Sequence, residues 1–220
     1  MTISYHNYKS LFDYELNPKK SISTKMSQIK LNRLMLIRSA LTHGLPNRAS
    51  LKKIPKEIKH WKFNNISPFV MIGGNNVSKF TYFEYLESSE KSKVAFYIGM
   101  IFAHLNMESE YGVRFLCHLE KLENPRYTIT KNNKSPDFWG LDRNGKSFLV
   151  EAKCSTKTNN YIEKIHIKKA NQQLQGVSSI NDKNSNINYK VGNAQHGLEK
   201  VIVATYPNKE YEINQTIIHI

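Results

Sequence analysis

The run KVIVATYP, Lys200 to Pro207, is apolar at almost every position. A strand without polar alternation buries both faces, so the sheet that contains it needs a covering layer on each side. Upstream, NYIEKIHIKKANQQLQGV has helical periodicity. Ile162, Ile165, Ala170, Leu174 and Val177 form its apolar face, and Lys164, Lys168, Gln172 and Gln175 its polar one. Before it, KSFLVEAK has strand composition. A strand, a crossover helix and a second strand predict a right-handed connection between parallel neighbours.

The wider pattern extends this unit. VAFYIGMIFAHL, Val94 to Leu105, belongs to a helix starting near Ser89, apolar nearly all round and therefore buried. EYGVRFLCHLEKL reads as its continuation past Gly112. RYTIT, DFWGLD and KSFLVEAK are three short strands, NDKNSNINYKVGN is a loop, and YEINQTIIHI is a last strand. The fold class is α/β: a mixed sheet flanked by helices, in the order helix, three strands, helix, strand. The chain stops on an apolar run, which suggests further residues beyond Ile220.

Charge is unevenly spread. Residues 1–64 hold 13 Lys and Arg against 3 Asp and Glu, out of a whole-chain net charge of +14. TKMSQIKLNRLMLIRSALTHGLPN reads as an amphipathic helix from Thr24, with Ile29, Leu31, Leu34, Met35, Ile37 and Leu41 on its apolar stripe. Residues 1–75 therefore form a basic, mostly helical region, joined through IGGNN (72–76) to a domain of residues 76–220. Such a surplus favours a polyanionic partner, nucleic acid above all. Two cysteines make no disulfide framework, no signal-peptide run opens the chain, and no stretch is long enough to span a bilayer. A cytoplasmic protein without a membrane partner is expected.

SPDFWGLDRNGKSFLVEAKCS, residues 135–155, carries the chemistry. Period two puts Leu149, Glu151, Lys153 and Ser155 on one face of the second strand, and Phe148, Val150, Ala152 and Cys154 on the other. Unpaired charges on a buried face cost several kcal/mol, so Glu151 and Lys153 need a reason to be there. Asp137 is the natural third member if the turn allows it. A two-residue Asn144-Gly145 loop would pair Asp137 with Ala152 and send its carboxylate to the opposite face. A three-residue Arg143-Asn144-Gly145 loop, or a bulge of the same effect, pairs it with Glu151, and this geometry is expected. Two opposed carboxylates supply hard oxygen ligands suited to Mg²⁺. Lys153 beside them suits charge developing on a phosphate.

Pro136-Asp137 and Glu151-Ala152-Lys153, separated by 13 residues, resemble the PD-(D/E)XK nuclease superfamily and its restriction-endonuclease-like fold. The resemblance covers roughly residues 89–206. It implies that Asp137 and Glu151, helped by the Ala152 backbone carbonyl, hold Mg²⁺ or Mn²⁺, and that Lys153 is catalytic. Many members carry a further acidic residue on the first helix, for which Glu108 is preferred over Glu110. Some use a glutamine in the helix after the lysine, where Gln172 and Gln173 lie, and Lys168 and Lys169 of that helix could touch a nucleic-acid backbone. The implied activity is metal-dependent endonuclease cleavage, of DNA before RNA, in a setting such as restriction or phage defence, by a homodimer or larger defence complex. The other readings are a non-catalytic nucleic-acid-binding protein, a structural subunit retaining the fold, and an RNA-cleaving toxin. A plain hairpin with an ordinary Glu–Lys pair is the simplest alternative. Cys117, His118, Cys154 and His166 lack zinc-ligand spacing, and IGGNN lacks the following Lys-Ser/Thr of a phosphate loop.

Overall fold

A computed structural model describes residues 2–16, 27–65, 67–68, 70–73, 76–79, 81–122, 126–155, 157, 164–207 and 213–220. In chain order the elements are β1 (Thr2–Tyr8), α1 (Leu11–Leu16), β2 (Ser27–Lys30), α2 (Arg33–Thr42), α3 (Arg48–Lys53), α4 (Lys56–Asn64), β3 (Val70–Gly73) and β4 (Asn76–Lys79). There follow α5 (Ser88–Tyr111), β5 (Cys117–His118), α6 (Leu119–Leu122), β6 (Tyr127–Lys131), β7 (Phe138–Leu141), β8 (Ser147–Cys154) and α7 (Lys164–Gln175). The last are β9 (Val177–Asp182), β10 (Ile187–Lys190), β11 (Leu198–Pro207) and β12 (Ile213–His219).

The main sheet runs β3-β4-β1-β12-β11-β8-β7-β5, with β2 paired to β1. β8 and β11 are parallel, as the crossover pattern predicts, while β7–β8 and β11–β12 are antiparallel. The sheet is mixed and helices flank it, so the chain is α/β. Period two sorts its central strands cleanly between the two layers. Phe138, Phe148, Val150, Val201 and Val203 pack in one core with α5. Trp139, Leu149, Ile202 and Ala204 pack in the other with Ile167, Ala170 and Leu174 of α7. Each fully buried Ile or Leu in these layers contributes about 1.5–3 kcal/mol. Among the described residues no helix is long and apolar enough to cross a membrane.

Several sequence expectations change. The boundary near residue 75 cuts across one sheet and one core: β1 lies between β12 and β4, and Ile3, Tyr5, Ile29 and Leu36 share the α5 core. The helix expected from Thr24 begins at Arg33, where Asn32 caps it by accepting from the Met35 amide at 2.9 Å. Ser27–Lys30 pair with β1 instead, and residues 24–26 lie outside the described residues. The buried face of α2 is Leu36, Ser39, Ala40 and Thr42, with Leu34 exposed. On α7, Ile165 is exposed and Ile167 takes the core position. Of the expected joint IGGNN, residues 74–75 lie outside the described residues.

The first of the three expected strands, 126–130, does not join the main sheet. It pairs with β9, and β9 with β10, in a separate three-stranded antiparallel sheet. The stretch expected as a loop thus supplies one strand and part of another. Past Gly112 the helix does not resume: β5 and the short α6 follow, and β5 takes the edge beside β7.

Candidate functional site

The β7–β8 hairpin sets the geometry. Phe138 pairs with Val150 and Leu141 with Ser147. Asp142 accepts from the Lys146 amide at 2.8 Å, and its own amide donates to the Lys146 carbonyl at 3.0 Å. The loop is therefore Arg143-Asn144-Gly145, with Gly145 at φ +82°, a conformation glycine adopts without strain. Continued one step beyond β7, this register sets Asp137 opposite Glu151. Two hydrogen bonds lock them together: the Asp137 amide donates to Glu151 Oε2 at 3.0 Å, and the Ala152 amide to Asp137 Oδ2 at 2.9 Å.

Lys153 follows on the same face as Glu151. Its ammonium pairs with Glu151 Oε1 and donates to Gln173 Oε1 at 2.9 Å. Gln173 Nε2 in turn donates to the Ser135 carbonyl at 3.3 Å. One side chain of α7 thereby ties the lysine to the segment that carries Asp137. On the opposite face Gly99 of α5 touches the end of β8: a Cβ there would stand 3.0 Å from the Cys154 Cβ and 3.5 Å from the Lys153 carbonyl carbon. The close approach of helix to strand needs a residue without a side chain.

Burial governs the electrostatics. Glu151 is fully buried beside Ile202, and Asp137 is half-buried. Desolvation pushes the Glu151 carboxyl up to about 8; the neighbouring Asp137 charge adds to the rise, and Lys153 opposes it. Desolvation also raises Asp137, against the Ala152 amide and the Lys153 charge. A carboxyl held this high retains a proton near neutrality, so a cation of higher charge has a proton to displace.

Two clefts meet at the cluster. One, of about 550 Å³, is lined by Asp137, Glu151, Lys153, Gln173 and the α5 residues Ser92 and Phe96. The other, of about 1010 Å³, is bordered by Asp137 and Gln173 from the far side, with Trp61, Lys62, Phe96 and Lys169. Asp137, Phe96 and Gln173 belong to both, so Asp137 sits where the two join, with Glu151 on the smaller cleft alone.

The structure brings together Asp137, Glu151, Ala152, Lys153 and Gln173. Lys169 and Gln172 border the larger cleft, where Gln172 accepts from Lys134 at 2.8 Å, while Lys168 is exposed and borders neither. Glu108 is not brought to the cluster. It pairs with Arg38 and lies nine residues, about 14 Å, along α5 from Gly99. Glu110 accepts from the Tyr5 hydroxyl. The cleft-lining aromatics that the sequence did not single out are Trp61, Phe96 and Tyr97. Trp61 stands out within the basic stretch KHWKF, but Phe96 is one apolar residue in a helix apolar all round, and nothing local marks it.

Among the described residues no group of three or more His, Cys, Asp or Glu side chains gathers as metal ligands. Two carboxylates and a backbone carbonyl are a donor set of hard oxygens, which suits Mg²⁺ or Mn²⁺ completed by water and phosphate. No protein-family model, curated protein or solved structure matches this chain.

Proposed function

We propose that this protein is a nuclease, a divalent-metal-dependent phosphodiesterase acting on DNA in preference to RNA. The observation that carries the reading is the Asp137–Glu151 pair, locked across two strands, with Lys153 on the same face and a cleft in front. The core that presents it is restriction-endonuclease-like in this reading: α5, then β5, β7 and β8, then α7 and β11. The three strands are thus not those expected from the sequence, since β5 replaces 126–130.

Asp137, Glu151 and the Ala152 carbonyl would hold Mg²⁺ or Mn²⁺. When bound, the ion supplies charge neutralisation of a phosphate and a water of lowered pKa. The chain's own residues do the rest. Lys153, held by Gln173, presents an ammonium to charge developing on the phosphate. Ala95 and Phe96 of α5 border the same cleft. The surplus of +14 draws a polyanion towards the site. Were the substrate a duplex cut on both strands, two such sites, and hence a homodimer, would be needed.

The test is cleavage of plasmid, single-stranded DNA and RNA by purified protein with Mg²⁺, Mn²⁺ or EDTA. Wild type should cut only with metal, and Asp137→Asn and Lys153→Met should each lose cleavage while keeping the native circular dichroism spectrum. Activity surviving both changes would sink the reading. Both Glu151 oxygens already accept hydrogen bonds from the chain itself, which favours a second reading, a nucleic-acid-binding protein that keeps the cluster as a structural pair. That protein would bind with steep salt dependence and never turn over.

A further inference from the structure

We infer that the larger cleft beside Asp137 is a site for an unpaired nucleobase, so that the protein engages single-stranded or flipped-out nucleic acid rather than an intact duplex. The inference rests on the nuclease reading for its substrate class, and it stands on a separate group of residues.

Trp61 on α4 is 50% exposed and Phe96 on α5 is 53% exposed, and both border this cleft. Single exposed aromatics are ordinary on protein surfaces. Two on different helices, facing one concavity, are a different matter. Tyr97 braces both edge-on, with ring centroids 5.6 Å from Trp61 and 5.8 Å from Phe96, and interplanar angles of 89° and 72°. Each ring thus has an edge contact with Tyr97.

Charge surrounds the rings. Lys62, Lys121, Lys134 and Lys169 border the same cleft against Glu120 and Asp137. Lys62 is anchored by its bond to the His43 carbonyl at 3.2 Å. Lysines for phosphates interleaved with aromatic faces for bases are the recognition chemistry of single strands, because stacking needs a base face that a duplex keeps covered. The cleft ends on Asp137 and Gln173, the residues it shares with the carboxylate cluster. A strand stacked on Trp61 or Phe96 thus leads its backbone to the cluster.

The test is equilibrium binding in EDTA, which removes cleavage from the measurement. The probes are fluorescent dT12, rU12 and a 12-base-pair dA·dT duplex, followed by anisotropy. Both wild-type single strands, or one of them, should bind more tightly than the duplex, and the tighter one identifies the sugar. Trp61→Ala and Phe96→Ala should each weaken single-strand binding by roughly 5- to 100-fold, the range of one lost stacking contact. Trp61→Tyr should restore most of it, and the salt slope should stay unchanged because no charge is altered. Equal affinity for duplex and single strand, or full affinity in both alanine variants with native circular dichroism, would overturn the inference. Single-strand binding lost on Trp61→Ala in a protein that never cleaves would leave the inference standing and the nuclease reading fallen. Asp137-dependent cleavage with unaltered binding in both variants would do the reverse.

Discussion

Between pH 7 and pH 8 one side chain should drain stability from this protein. The Glu151 carboxyl stands at about 8 in the fold against an ordinary 4.5, mainly through desolvation. Between those values the folded chain keeps a proton that the unfolded chain has released. Its contribution to stability is therefore fully present below the unfolded pKa and is lost as pH rises through the folded one. Each unit inside the window removes at most about 1.4 kcal/mol, and the step from pH 7 to pH 8, which reaches the folded pKa, removes about 1 kcal/mol. The buried His43 and His104, held at about 3 and about 4, act below pH 6.5 and so outside this step. Lys62, lowered to about 8, gives the opposite slope, and it cancels when wild type is compared with Glu151→Gln. Urea unfolding followed by tryptophan fluorescence at pH 7.0, 7.5 and 8.0 measures the difference. Wild type should lose about 1 kcal/mol more than the glutamine variant across the step. Under the proposed function, Mg²⁺ should shrink the wild-type loss, because the ion binds the deprotonated carboxylate and adds stability as that form grows. Parallel pH profiles for the two proteins would refute the reasoning.

Two further predictions follow from the packing. Gly99→Val puts a branched side chain where even a Cβ stands 3.0 Å from Cys154, so it should cost about 1–3 kcal/mol in thermal unfolding and disturb the strand that carries Lys153; an unchanged Tm would contradict the contact. His104 is buried neutral, bonded to Ser39 at 2.9 Å and to the Arg114 carbonyl at 3.0 Å, and burial holds it at about 4. Its lowered pKa gives stability present above pH 6.5 and lost as pH falls, so wild type should lose roughly 1–2 kcal/mol more than His104→Asn between pH 6.5 and 5 in urea titrations.

The hairpin was legible because its determinants are local. Turn chemistry at Gly145 left two loop lengths, and the three-residue loop, with Gly145 at φ +82°, set the register and so the face that Asp137 shares with Glu151. The parallel β8–β11 pair was legible too, from strand, helix and strand in succession. The helix starting at Arg33 was not, since SQIK is too short to reveal strand pairing and its partners in β1 lie 22 to 28 residues upstream. Strand composition likewise marked 126–130 without saying which sheet it joins. Glu108 looked suitable by its position late in α5, but helix length carries it past the cluster to Arg38.

By itself, then, the sequence determined the α/β class and the two-sided burial of β11, both consequences of periodicity, and it narrowed the partner of Asp137 to Glu151 or Ala152 through the length of one turn. Only the tertiary structure decided that β1 enters the main sheet, that α7 hands Gln173 to Lys153, and that Trp61 and Phe96 flank one cleft. Those outcomes depend on which distant surfaces meet, and a strand or an exposed ring carries no local mark of its partner. The shift of Glu151 belongs to the same class, because desolvation is set by everything packed around a carboxyl rather than by its neighbours in the chain.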